Sequence, residues 1–199
     1  MPKQFLISLV ALGLAGFWAS AHAEQPLFPH SYIQLEHSRM NPEQGETATG
    51  LSGRISLSLM GDEDIWLAVE RDDISMDASF ESEERVQMEY SALLLGTGYR
   101  VTDEGMWYVE GGSAVVRVSG EESRQSIVAA IGIRTQISPR FELGGGPRLG
   151  SSNRLNPEES EALMRVHGRL ALSSQVAITG SYDYHGDDSQ WRLGAQIRW

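Results

Sequence analysis

From residue 32 onward apolar and polar residues alternate with a period of two, and no helical period interrupts them. Successive side chains of a β-strand point to opposite faces, so this alternation predicts strands with two chemically different surfaces. Ten segments carry it: 32–38, 52–60, 65–72, 88–101, 106–118, 126–137, 140–149, 163–172, 175–184 and 190–199. In the last, Trp191, Leu193, Ala195, Ile197 and Trp199 alternate with Arg192, Gly194, Gln196 and Arg198. In the ninth, Val176, Ile178, Gly180, Tyr182 and Tyr184 alternate with Ala177, Thr179, Ser181 and Asp183. The sixth sets Ile127, Ala129, Ile131, Ile133 and Ile137 against Val128, Ala130, Gly132, Arg134 and Gln136.

The connections alternate too. Segments 39–51, 73–87, 119–125, 150–162 and 185–189 are long, whereas 61–64, 102–105, 138–139 and 173–174 between them are short. A soluble sandwich has no reason to sort its loops by length in this way. A barrel threaded through a membrane from one side does, with short turns on that side and longer loops on the other. Periodicity alone leaves open which row is inside, because a soluble barrel and a membrane barrel show the same alternation with opposite faces inward. Tyr and Trp near strand ends (Tyr99, Trp107, Tyr182, Tyr184, Trp191, Trp199) suit membrane interfaces, where a ring sits half in hydrocarbon and half in water. The expectation is an all-β, antiparallel up-and-down transmembrane β-barrel of ten strands, with eight as the alternative if one hairpin stays in a loop.

Composition narrows the partners. The 199 residues carry a formal charge of -11, which disfavours nucleic acid, and no cysteine, which excludes disulfides and thiol chemistry. The amino end supplies an address. Lys3 precedes an apolar run over residues 5–18, and Ala21-His22-Ala23 has the small-x-small form of a cleavage site. The expected organisation is a Sec-type signal peptide over 1–23, a short periplasmic segment over 24–30, and the barrel over 31–199. Lys3 is the sole lysine, so every basic residue after the leader is arginine.

The chain closes its last amphipathic strand on an aromatic residue, Trp199, as the carboxy-terminal signature of bacterial outer-membrane barrels does. With it stand Leu95-Gly96-Thr97-Gly98-Tyr99-Arg100, Ile131-Gly132-Ile133-Arg134 with Ser138-Pro139-Arg140-Phe141-Glu142-Leu143, and Ser189-Gln190-Trp191-Arg192-Leu193-Gly194-Ala195. These stretches resemble the small porin-like outer-membrane barrels, of the OmpA/OmpX-like type, that lack a periplasmic domain. The likeness covers the last half of the chain well and the first three strands only in pattern. It implies a place in the cell outer membrane, contact with lipid and lipopolysaccharide, and recognition by the barrel-assembly machinery through Trp191, Leu193, Ile197 and Trp199. It implies little about activity.

With the apolar row against lipid, the inward row collects Glu36, Arg54, Glu70, Asp72, Arg100, Glu110, Arg134, Glu142, Arg148, Arg165, His167, Arg169, Asp183, His185, Arg192 and Arg198. Two readings stay open: an ion-paired plug that stiffens a narrow barrel, or a constricted passage for small solutes lined by cations. Eight-stranded barrels are filled by side chains and aqueous channels are clear at about sixteen strands, so ten favours the plug. The acids gathered in the connections, among them Asp77, Glu81, Glu121, Glu122, Glu158 and Glu159, read as solvated loops or as carboxylates bridged by divalent cations to lipopolysaccharide.

Catalytic groupings are thin. Asp183 and His185 share one face near a rim and form the rival reading, a rim hydrolase. His37 and Ser38 are loose esterase candidates, and a soluble periplasmic ligand-binding barrel is the other rival. No cofactor, metal site or catalytic residue is expected.

Overall fold

A computed structural model describes residues 31–41, 47–59, 62–77, 85–150, 161–185 and 188–199. The leader and the segment 24–30 lie outside the described residues. Those described form ten strands: β1 (Tyr32–Asn41), β2 (Ala48–Leu59), β3 (Asp62–Asp77), β4 (Arg85–Thr102), β5 (Gly105–Val118), β6 (Arg124–Ser138), β7 (Phe141–Gly150), β8 (Glu161–Ala171), β9 (Val176–His185) and β10 (Asp188–Arg198). Each pairs antiparallel with its neighbours in sequence, and β1 closes on β10. Closure leaves no unpaired strand edge, which is the condition for putting β-structure into hydrocarbon.

The outer ends of the strands run further than the alternation predicts. Pairing continues to Met40↔Ala48 in the β1–β2 hairpin and to Asp77↔Arg85 in the β3–β4 hairpin, so the connections shrink to 42–47 and 78–84. The rule of long and short connections fails at its last step. β9 and β10 zip up to His185↔Asp188, leaving 186–187 between them, which is shorter than 172–175 between β8 and β9. That four-residue turn is held by Ser173, whose hydroxyl accepts from the backbone N–H groups of Val176 at 3.1 Å and Gln175 at 3.3 Å.

The faces resolve the ambiguity that periodicity leaves. Leu35, Leu51, Leu93, Leu95, Ile131, Ile133, Leu143, Val166, Ile178, Tyr182, Leu193 and Ile197 all point outward and are exposed, as is Ile127 at 82%. Glu36, Glu70, Glu110, Arg134, Glu142, Arg148, Asp183 and Arg192 are buried inside. A soluble barrel would reverse these rows, because it must hide its apolar side chains from water. An apolar skin around a charged interior is the arrangement lipid demands.

Candidate luminal site

The inner wall is built from cross-strand pairs. Arg54 lies opposite Glu70 across β2–β3, Arg165 opposite Asp183 across β8–β9, and Glu142 opposite Arg169 across β7–β8. Directly opposed residues on one face bring their side chains together, so the alternation and the register place each arginine beside a carboxylate. Arg54 reaches Glu70 at 2.5 Å and also ion-pairs with Glu110. Glu70 is shared with Arg148 at 2.7 Å and with Arg165 at 4.0 Å. Arg165 grips Asp183 through two bonds of 2.7 Å, Asp183 also takes Arg192 at 2.8 Å, and Arg192 reaches Asp72 at 3.6 Å. These contacts join four arginines and four carboxylates into one neutral lattice across the lumen, drawn from β2, β3, β5, β7, β8, β9 and β10. Moving so many charges out of water is tolerable only with pairing of this completeness, and the planar guanidinium fork supplies it.

Hydrogen bonds with neutral side chains surround the lattice. Tyr90 accepts from Arg148 at 2.8 Å, the Trp66 indole donates to Glu110 at 2.8 Å, and Thr179 donates to Glu36 at 3.0 Å. Gln190 donates to Ser38 at 2.6 Å and accepts from Arg192 at 2.8 Å. Towards the short-turn end Arg169 donates to Gln196 at 2.7 Å and stands 3.7 Å from Glu142.

Charge is only part of the interior. Towards the loop end the inward row turns apolar: Met40, Ala48, Ile74, Met88 and Val116 are buried together, with Val118 packed on them. Trp66, Leu94 and Tyr108 continue this cluster along β3, β4 and β5. The sequence expectation named only the charged members of the inward row. On β3–β5 apolar residues occupy both faces, so polarity gives no signal there, although parity with Glu70 and Asp72 already carries Trp66 and Ile74 inward.

Below the apolar layer lie two small cavities. One of about 110 Å³ is lined by Arg54, Arg134, Arg165 and Arg192 with Glu36, Glu70, Asp72 and Glu110. The other, about 50 Å³, is lined by Arg134, Arg169, Glu142 and Gln196. Tyr32, Gln34, Arg134 and His167 line both.

The remaining expected site residues fall as follows. Arg100 lies on the inward row but is exposed at the short-turn rim, and Arg198 is half-buried, donating to the carbonyl of Ser174 in the adjacent turn. Asp183 faces the lumen, locked by two arginines, while the His185 side chain lies outside the described residues. His37 and Ser38 point to opposite faces: His37 packs edge-on to Trp191 at 6.2 Å on the outside, and Ser38 is buried inside. Of the terminal aromatic strand, Leu193 and Ile197 are exposed outward, and Trp199 N–H bonds the carbonyl of Ser31 at 3.4 Å. Glu121 and Glu122 are exposed, whereas Glu81, Glu158 and Glu159 lie outside the described residues. Among the described residues no group of three or more acidic or histidine side chains could hold a metal ion.

No protein-family model and no curated relative matches the chain. Solved structures do. A KdgM porin in complex with disordered oligogalacturonate superposes with a TM-score of 0.52 at 11% identity, covering 84% of this chain and 99% of that one. A NanC porin gives a TM-score of 0.52 at 9% identity, with 84% and 100% covered. Identity this low speaks for the fold alone, and it agrees with the inverted faces, the closed sheet and the hairpin order: in fold the chain is a small outer-membrane-type β-barrel of ten strands.

Proposed function

We propose that the protein is an integral, non-enzymatic barrel of the bacterial outer membrane whose lumen is shut, and which serves envelope structure and surface contact through its loop end. The neutral lattice of four arginines and four carboxylates across the lumen carries this reading. Such a lattice resists opening, because removing one partner strands a buried charge. The apolar layer at the loop end supports the same reading, since narrow hydrophobic constrictions exclude water and ions. On this view the short turns face the periplasm and the exposed aliphatic band contacts lipid, with the acidic loops meeting lipopolysaccharide through cations. Against a hydrolase, both Asp183 carboxylate oxygens are bonded by Arg165 and Arg192, which hold the group as a structural anion and make it a poor base.

The second reading is a narrow passage for small solutes. It is favoured by the two arginine-lined cavities and by the similarity to porins, one of them solved with an acidic oligosaccharide. Conductance in a planar bilayer separates the two. Protein that shifts its gel mobility on heating, as folded barrels do, is expected to be electrically silent. Discrete, steady openings would overturn the shut lumen in favour of the passage.

A further inference from the structure

Arg134 stands outside the lattice. Arg134 is only 9% exposed, and its Nε has no hydrogen-bond partner among the described residues. The guanidinium lies over Tyr108, 5.1 Å from the ring centroid, and over Trp66 at 5.9 Å. Aromatic rings satisfy the faces of a guanidinium and leave its donor edge unserved. His167 has the same deficiency, with its Nε2 buried and unpartnered. The two share one row of the inner wall, since Arg134 lies opposite Gly144 and Gly144 opposite His167. Glycine puts no side chain between them. Both line both cavities, together with the Gln34 amide and the Tyr32 phenol.

The larger cavity is balanced, four arginines against four carboxylates, whereas the smaller one carries an excess of positive charge. The smaller cavity sets Arg134 and Arg169 against Glu142, and Glu142 is already engaged by Arg169. Further towards the short-turn end the inward rows add Arg100 and Arg198. Positive charge inside low-dielectric walls concentrates anions. A cavity of about 110 Å³ accommodates a few waters, each with a share of about 30 Å³, or one ion of comparable bulk.

We infer that Arg134 and His167 form a binding site for a small oxyanion, of the carboxylate or phosphate class, at the junction of the two cavities. The anion takes the edge of the Arg134 guanidinium that carries the unpartnered Nε. The site requires the barrel but not the shut mouth, and the anion reaches it from the short-turn end along Arg169 and Arg198.

The test is calorimetric titration of the full barrel, refolded in detergent at low salt, with inorganic phosphate and separately with acetate. Folding is verified by heat-dependent gel mobility. Saturable binding of at least one of them at one site per barrel is expected. Arg134→Gln should weaken it by about tenfold or more, as loss of a charged hydrogen-bonding partner does. Arg71→Gln, which removes a cation on the outer face, should leave it unchanged. If Arg134→Gln fails to fold, His167→Gln decides, and weakened binding is expected there. Folded wild-type protein that takes up neither anion overturns the site and leaves the barrel intact, as does undiminished binding in the folded variants. Wild-type protein that never acquires heat-dependent mobility overturns the barrel reading as well.

Discussion

Trp66 has 0% exposure, and its place depends on a residue with no side chain. It lies opposite Gly96 across β3–β4, and a Cβ built on Gly96 would collide with the indole. Tyr108 stands over Gly132 in the same way across β5–β6. A narrow lumen admits large rings only where the neighbouring strand gives up its side chain, since overfilled interiors are destabilised by roughly 1–3 kcal/mol. Gly96→Val is therefore expected to lower barrel stability by about that amount, read as a drop in the urea midpoint of refolded protein. An unchanged midpoint would mean that the indole has another place to go. At Arg148 the argument is electrostatic. Arg148→Met takes a bond of 2.7 Å from Glu70 and leaves the lattice one negative charge in excess, at a cost of up to roughly 3–5 kcal/mol, while Glu70→Gln added to it restores neutrality and should recover part of that loss. A double variant less stable than the single one would show that the cost comes from packing and not from stranded charge.

Among the elements, β10 closes the barrel, pairing with β9 on one side and with β1 on the other. Its outward row, Leu193, Ala195 and Ile197, ends at Trp199, whose backbone N–H ties back to Ser31. Trp199→Ala should sharply reduce the amount of heat-modifiable protein recovered from cell membranes. Wild-type yield in that variant would remove the terminal aromatic from any part in assembly. The β3–β4 hairpin shows the limit of reading elements from pattern. Its strands continue past the alternating stretch through Asp73↔Glu89 and Ile74↔Met88, where the outward face turns polar and the inward face apolar. Arg71, Glu89 and Arg117 sit on that outward face, with Arg71 and Glu89 3.3 Å apart, as expected for strands that rise beyond the hydrocarbon.

For the molecule as a whole, closure is divided between two layers, and each has its own signature. Ile74→Ala with Met88→Ala thins the apolar layer but leaves the charged lattice spanning the lumen, so conductance is expected to stay absent. Adding Arg165→Ala and Asp183→Ala, a directly opposed pair with bonds of 2.7 Å, should admit current. Current from the apolar pair alone would make the hydrophobic layer the sole barrier. The lattice also separates charge along the axis. It is neutral in the middle of the lumen, and the inward arginines outside it, Arg134, Arg169, Arg198 and Arg100, all lie towards the short turns.

Alternation by itself determined the ten strands, their order and the two rows of each, because a period of two is a local property of extended chain. The charged members of the inward row were legible for the same reason: once one residue of a strand is placed, parity places the rest. Register was not legible. A pairing such as Arg165↔Asp183 or Arg134↔Gly144 depends on where two strands meet, and it decides which arginine gains a carboxylate and which does not. The apolar layer at the loop end was hidden because apolar residues occupy both faces of β3–β5, and Ile74, Met88 and Val116 come together only when those strands pair. Alternation is symmetric under exchange of the two faces, so it could not say which looked inward; loop lengths and strand-end aromatics argued for the apolar row outward, and only the closed barrel shows it there.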